Sequence, residues 1–203
     1  MPISPRTNRS DPSPVRGRII EAALTLFAEH GYDGVAVPSV ARRAQVGTGS
    51  IYRYFDDKVA LVNAVFQYAK QKLQRYFEES IDLQAPPRDC FHQFWWTLSR
   101  FAEQAPEAFR FLEMQDHRPY LSPESRALER HVLFPLLQLC RNAQQQGLAR
   151  TMDAPALMAM IWGAFVGLHK AADLGFLSLT TDTEQAAERA CWAMITGLED
   201  QAP

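Results

Sequence analysis

The sequence has few cysteines, no long apolar run and almost no net charge, and each shortage excludes a class of protein. Its three cysteines are widely spaced with no CxxC pair, which argues against a zinc cluster and against a disulfide-stapled secreted domain. No run of about eighteen uncharged apolar residues occurs, and no apolar segment follows Met1, so neither a membrane span nor a signal peptide is expected. We therefore expect a protein of the reducing cytoplasm, without a membrane partner.

The formal net charge of −2 gives no support for a nucleic-acid partner when the chain is taken as a whole. The charge is distributed unevenly along the chain. Residues 1–60 contain eight Lys and Arg and six Asp and Glu, whereas residues 61–203 contain thirteen Lys and Arg and seventeen Asp and Glu. Attraction to phosphate depends on local charge, so the first sixty residues are the better candidate for a contact with DNA.

Helical periodicity of apolar residues runs through almost the whole sequence, and no alternating stretch indicates a strand. Residues 1–14 contain four prolines and no apolar pattern, so we expect a disordered arm there. Among the helix ends, we expect Thr48 to cap the third helix, Ser122 to cap the seventh and Asp182 to start the ninth. Pro135 is expected inside the seventh helix. The predicted fold class is all-α, with about nine helices.

Two short predicted helices, within residues 38–55, are joined by a tight turn. The second would bury Ile51 and Phe55, which lie four residues apart, and expose hydroxyl and guanidinium groups. A short exposed helix of this kind fits a DNA major groove, which is about 12 Å wide. Hydroxyl groups bind phosphates or base edges, and arginine binds guanine with two hydrogen bonds. The pattern is typical of a helix-turn-helix.

The ordered string Gly-Ser-Ile-Tyr-Arg-Tyr-Phe-Asp-Asp-Lys at residues 49–58 is a more specific signal than the general pattern. Together with residues 19–27, Gly31-Tyr32 and Val40-Ala41, it resembles the N-terminal module of TetR-type repressors over about fifty residues. The sequence departs from that family in two places. Gln45 stands where the turn usually has Gly, and residues 35–36 lack the usual Thr or Ser cap. Each departure costs about 1 kcal/mol, which predicts a soft second helix.

The resemblance implies a one-component transcriptional regulator, most often a repressor, which binds a palindromic double-stranded DNA operator as a homodimer. It implies a three-helix DNA-binding domain at 15–60 and a C-terminal domain at 61–203 that binds a small-molecule effector and dimerises. It implies no cofactor and no metal. By position and side-chain chemistry, the candidate DNA contacts are Arg42, Arg43, Thr48, Gly49, Ser50, Tyr52, Arg53, Tyr54 and Lys58.

The region after residue 61 is rich in aromatic residues, which are typical both of a core and of a pocket for an apolar or flat ligand. Candidate pocket residues are Phe94, Trp95, Phe109, Met114, His117, Trp162, Phe165 and His169. The last two predicted helices carry stripes of small residues, which allow close helix approach either within the chain or across the dimer interface that the resemblance implies. The candidate interface residues are Gly163, Gly167, Ala171, Ala186, Ala190, Ala193 and Gly197.

An enzyme is the main rival class. The sequence contains no Gly-rich phosphate loop, no HExxH motif, no nucleophile elbow and no carboxylate pair of evident geometry, so no enzymatic activity is expected. A second alternative stays open, because Gln45 and the modest basic charge also suit a helical ligand-binding or interaction protein whose DNA-binding module is weak or non-functional.

Overall fold

A computed structural model of the protein describes residues 14–197, which contain nine α-helices and no strand. The all-α prediction is confirmed. The expected arm lies outside the described residues except for Pro14, which is the first residue of α1. The helices are α1 Pro14–His30, α2 Val37–Arg43, α3 Thr48–Tyr52, α4 Lys58–Ser80, α5 Pro87–Gln104, α6 Pro106–Met114, α7 Pro123–Gln145, α8 Ala154–Asp173 and α9 Thr181–Thr196.

The turn between α2 and α3 places Gln45 in the left-handed region, with φ of 56°. The Val46 amide donates to the Ala41 carbonyl at 3.0 Å and the Gln45 amide to the Arg42 carbonyl at 3.2 Å. This is the Schellman pattern, in which the left-handed residue is usually Gly. At the other end of α2, Ala36 makes no side-chain capping bond. Both departures noted in the sequence are therefore present in the fold.

Helix starts agree only partly with expectation. Ser122 caps α7 by accepting a hydrogen bond from the Ser125 amide at 3.2 Å, and Pro135 lies inside that helix, as predicted. The prediction that Thr48 caps α3 is wrong, because Gly47 occupies the cap position and Thr48 is the first helical residue. The start of α9 at Asp182 is also wrong, because the Thr180 hydroxyl accepts from the Thr183 amide and begins the helix one residue earlier.

The long helix α4 joins the first three helices to the rest of the chain. Asp57 caps it by accepting a hydrogen bond from the Ala60 amide at 2.7 Å, and its inward face packs against α1, α5, α6 and α7. Helix α6 also packs directly on α1, where the rings of Phe27 and Phe111 lie 6.2 Å apart and Gln115 donates to the Phe27 carbonyl. A single hydrophobic core runs from Ile19 to Ile195.

Residues 14–197 contain neither a membrane-spanning helix nor a cluster of metal-binding side chains. No helix there is long and apolar enough to span a membrane, and no group of three or more His, Cys, Asp or Glu is arranged to hold a metal ion. Cys90, Cys140 and Cys191 are buried free thiols, and burial raises their pKa values to about 11, 12 and 12. They are therefore protonated thiols of the core.

Candidate functional site

Helix α3 presents a polar surface although it has only five residues. Ile51 and the following Phe55 are buried and hold the helix on the core, whereas Tyr52 is 52% exposed. Gly49 is exposed, and a Cβ added there would meet no atom within 4 Å. The protein itself therefore does not need glycine at this position. A backbone that must approach another molecule closely does explain it.

The candidate DNA contacts form a continuous exposed or half-exposed strip from the end of α2 to the start of α4, and none of them is buried. Arg53 donates from Nη2 to the Tyr54 hydroxyl at 3.4 Å, and Arg42 donates from Nη2 to the Ser39 hydroxyl at 3.3 Å. Both bonds are long and exposed, so both guanidinium groups can exchange these partners for phosphates. The strip consists of Arg42, Arg43, Thr48, Gly49, Ser50, Tyr52, Arg53, Tyr54 and Lys58.

Lys58 is positioned by a residue that the sequence reasoning did not assign to the site. Its Nζ lies 4.1 Å from the centroid of the Tyr32 ring, a cation–π contact. Tyr32 stacks in turn on Tyr120, with ring centroids 4.5 Å apart. Tyr120 belongs to the connection between α6 and α7, so this stack carries contacts from the candidate DNA surface to the C-terminal helices.

His117 fixes the other side of Tyr120. Its Nε2 lies 2.6 Å from the Phe111 carbonyl, which only accepts, so Nε2 donates and Nδ1 accepts from the Tyr120 hydroxyl at 2.7 Å. Burial, with a smaller contribution from nearby Lys70, lowers the pKa of His117 and favours this neutral tautomer. His117 therefore joins α6 to the α6–α7 connection.

A buried charged cluster lies deeper between α4, α6, α7 and α8. Lys70 is 2% exposed, and its Nζ lies 3.6 Å from Glu113 Oε1 and 3.7 Å from Glu129 Oε1. Trp162 donates from Nε1 to Glu113 Oε2 at 2.8 Å, and its ring lies 5.8 Å from Lys70 Nζ. The signal for the cluster in the sequence is a lysine on the mainly apolar inward face of α4, four residues after Phe66.

Three of the candidate pocket residues line a cleft of about 650 Å³ between α5, α6, α8 and α9: Phe109, Met114 and His169. The others lie elsewhere. Trp162 and His117 make the contacts just described, and Phe94, Trp95 and Phe165 are at most 2% exposed within the core. Sequence reasoning missed the polar walls of the cleft, which include Ser99, Glu103, Arg110 and Glu184.

The candidate dimer residues on α8 and α9, and Gly197 directly after α9, are all exposed or half-exposed. Gly163 and Gly167 are exposed, and a Cβ at either would meet nothing within 4 Å, so packing within this chain does not account for them. Ala186 and Ala190 are exposed, and Ala171 and Ala193 are half-exposed. Gly197 has a local cause, because it ends α9 with φ of 74° and a Cβ there would lie 3.2 Å from the Arg150 guanidinium.

Two models of known protein families together match nearly all of the residues that the structure describes. The family model described as "Bacterial regulatory proteins, tetR family" matches residues 19–65, and "Tetracyclin repressor-like, C-terminal domain" matches residues 62–196. The HTH-type transcriptional repressor DhaR of Mycobacterium sp. (strain GP1) is 36% identical over 76 residues, which span 37% of this chain and only 38% of DhaR. The "Probable acrEF/envCD operon repressor" of Escherichia coli (strain K12) is 27% identical over 166 residues, 75% of this chain and 73% of that protein.

A crystal structure supports the same assignment at the level of the fold. The TetR family transcription regulator from Marinobacter aquaeolei VT8 has a TM-score of 0.79 with this chain at 24% identity, covering 89% of this chain and 95% of that one. The two family models together extend from residue 19 to residue 196 and meet at the start of α4. With its helix-turn-helix and its helical C-terminal region both accounted for, the chain belongs to the TetR family.

Proposed function

We propose that the protein is a one-component transcriptional regulator, acting as a repressor, that binds a palindromic double-stranded DNA operator as a homodimer and is released by a small-molecule effector. It works in the cytoplasm as a binding protein and not as an enzyme. The DNA-binding domain is residues 15–60, and residues 61–203 bind the effector and dimerise. The observation that carries this proposal is the exposed strip of hydroxyl, guanidinium and ammonium groups around a helix held by Ile51 and Phe55.

The strip carries groups for both parts of DNA recognition, which are contact with base edges in the major groove and contact with the phosphate backbone. Short polar side chains on α3, beside Gly49 with its open surroundings, allow the helix to enter the major groove closely. Lys58 is the first residue of α4, where unpaired backbone amides and the helix dipole also attract phosphate. We therefore assign Tyr52 and Lys58 to phosphates and the residues at the start of α3 to base edges or the adjacent backbone.

The coupling between effector and DNA rests on α6. One side of this helix, with Phe109 and Met114, lines the 650 Å³ cleft, and another, with Phe111, packs on Phe27 of α1. Glu113 of the same helix contacts Lys70 of α4. A ligand that displaces α6 therefore moves α1 and α4 together and changes the separation of the two recognition helices in a dimer, which must fit successive major grooves.

The dimer proposal rests on the exposed face of α8 and α9, where a Cβ added at Gly163 or Gly167 would meet no other part of residues 14–197 within 4 Å. Sedimentation of Gly167→Glu tests it, because a carboxylate placed in a closely packed interface loses its hydration without gaining a partner. We expect a wild-type dimer at micromolar concentration and a monomeric Gly167→Glu. The matched control is Gly17→Glu on α1, also a helical glycine with open space, which should remain dimeric. A monomeric wild type contradicts the assembly.

DNA binding is tested by selecting bound sequences from random duplex DNA with the full chain and then measuring affinity for the selected operator across salt concentrations. Lys58→Ala removes one phosphate contact per protomer, so the slope of log K against log salt should become shallower by about 2 per dimer. Tyr52→Phe should weaken binding at all sequences, because it removes only the hydroxyl. The control Arg75→Ala removes one positive charge about 25 Å further along α4 and should leave the slope unchanged.

Two results would contradict the proposal. Failure to enrich any sequence, or a Lys58→Ala variant whose affinity and salt slope equal those of the wild type, favours the alternative of a ligand-binding or interaction protein with a weak DNA-binding module. The left-handed Gln45 and the modest basic charge of residues 1–60 are the observations behind that alternative.

A further inference from the structure

The charges around the 650 Å³ cleft are not balanced. Of its two arginines, Arg110 pairs with Asp173 at 3.8 Å, whereas Arg100 has neutral partners, because it donates to the Ser80 hydroxyl and lies 5.5 Å from the Tyr76 ring; its charge therefore offsets one of the other carboxylates but not two. Two carboxyl groups of the lining remain, Glu103 on α5 and Glu184 on α9.

Glu103 and Glu184 have no lysine or arginine ion-pair partner within residues 14–197. Burial and repulsion from Glu103 together raise the pKa of Glu184, which is the response of a carboxyl group near a like charge and short of cations. The Glu184 side chain is 13% exposed, and its Oε1 accepts from the Ser99 hydroxyl at 2.8 Å. The carboxyl group is therefore held in place beside the cleft by α5.

His169 adds a nitrogen atom that has no partner. Its Nε2 is buried and makes no hydrogen bond to any of the residues that the structure describes, and it lies 3.8 Å from Glu184 Oε1, too far for a hydrogen bond between them. Burial lowers the pKa of His169, which favours the neutral ring, and the ring is packed between Phe109 and Phe165 at 5.0 and 4.4 Å. An N–H group of a ligand in the cleft can donate to the Glu184 carboxylate, and it reaches the enclosed His169 nitrogen only when the packed rings around that nitrogen shift.

The remaining walls are apolar and aromatic. Phe109 and Met114 contribute from α6, and Trp96 contributes from α5 with its Nε1 fixed by a 3.0 Å hydrogen bond to Glu188 Oε2. Aromatic faces attract cations and also cover hydrocarbon. The cleft thus combines unbalanced negative charge, an unpartnered nitrogen and aromatic walls, and its volume is in the range of ligand pockets.

We propose that this cleft binds an organic amine in its protonated form, with the ammonium group between Glu103, Glu184 and His169 and an aromatic or alkyl body against Trp96 and Phe109. The inference rests on the proposed function, because the amine acts as the effector of the regulator. An ammonium with N–H groups satisfies Glu184 and His169 together. A quaternary ammonium supplies charge but no N–H, so it should bind more weakly.

The test is isothermal titration calorimetry of the full chain with matched probes: 2-(2-naphthyl)ethylamine, its N,N,N-trimethyl derivative, 2-(2-naphthyl)ethanol and 3-(2-naphthyl)propanoate. We expect the amine to bind at least tenfold more tightly than the alcohol, the quaternary probe to lie between them, and the carboxylate to be weakest. Glu184→Gln should lower amine affinity about tenfold, and Glu103→Gln, whose side chain is exposed and screened by solvent, should lower it about threefold. Neither should change the affinity for the alcohol.

The matched control is Glu107→Gln, an exposed carboxylate of α6 outside the lining, which should bind the amine as the wild type does. His169→Phe keeps an aromatic ring without the nitrogen and should abolish the preference for the amine over the quaternary probe. Thermal melts of all variants separate loss of binding from loss of folding. Equal or tighter binding of the carboxylate, or Glu184→Gln and Glu103→Gln variants that bind the amine normally, would overturn the assignment.

Operator release distinguishes this inference from the proposed function. If the amine releases DNA from the wild type but not from the Glu184→Gln variant, the result supports both the amine inference and the proposed function. Amine binding with the expected selectivity but without release supports the ligand class and overturns its role as effector. Operator binding in a protein that takes up none of the amines overturns the inference and leaves the DNA-binding function standing.

Discussion

Replacing Lys70 by methionine should lower the free energy of unfolding by on the order of 3 kcal/mol. The lysine is 2% exposed, and the Glu113 side chain that faces its Nζ at 3.6 Å is 9% exposed. Methionine fills most of the space of the lysine stem, so little cavity is created and the cost comes from charge. Removing one partner of a buried ion pair costs about 3–5 kcal/mol, because the remaining charge stays desolvated. We take the lower end, because Glu129, the other partner of Lys70, is 39% exposed and can return to water.

Equilibrium urea unfolding, followed by tryptophan fluorescence and circular dichroism at one fixed protein concentration, measures this cost, since the apparent stability of a dimer depends on concentration. Adding Glu113→Gln to Lys70→Met should recover about half of the loss, because the amide oxygen still accepts from Trp162 Nε1 while the buried charge is gone. Lys72→Met, on the more exposed side of α4, should change stability by less than about 0.5 kcal/mol. The reasoning is refuted if Lys70→Met lies within about 1 kcal/mol of the wild type, or if Glu113→Gln makes it still less stable.

Three further outcomes follow from other contacts. Gln45→Gly should raise the unfolding free energy by about 1 kcal/mol and the melting temperature by roughly 2–4 °C in calorimetry, and a lower melting temperature would contradict the left-handed turn. Amides of α2 should exchange hydrogen faster than those of α4, and uniform strong protection across residues 37–46 would refute this. Because the pKa of His117 is lowered by folding, protonation favours the unfolded chain, and stability falls as pH drops through about 6.5. His117→Gln should therefore lose less stability than the wild type between pH 7.5 and pH 5.5, whereas the exposed control His131→Gln should lose as much as the wild type.

The fold could be predicted because its signals are local. Apolar spacing marks each helix, and the cap at Ser122 and the turn at Gln45 depend on residues within a few positions of one another. Local signals fail where two candidates compete. Thr48 and Asp182 are both good capping residues, but Gly47 and Thr180 hold the extended backbone of the cap positions.

The 650 Å³ cleft could be predicted only in part, because it depends on packing between distant helices. Periodicity indicates that Trp95 and Phe109 both face inward, but not that the first meets the core while the second meets a cleft. Charged residues on the inward faces of helices are the signal in the sequence that indicates buried polar clusters. Lys70 on α4 and Glu188 on α9 both interrupt apolar faces, and each is satisfied by side chains far along the chain, such as Arg88 at 2.6 Å from Glu188.

Helix α6 lines the cleft and also packs on α1 of the DNA-binding domain, and this limits which of its residues can be substituted without side effects. Within nine residues it turns Phe109 and Met114 toward the cleft and Phe111 toward α1. A substitution on α6 that adapts the cleft to a new compound also perturbs the DNA-binding domain, so selectivity and repression would change together. Within the described residues, no packing as extensive as that between α6 and α1 joins α5 or α9 to α1. Biosensor libraries confined to the cleft-lining positions of those two helices, away from the exposed face of α9 proposed for the dimer, should alter which compound is detected while preserving the level of repression in its absence.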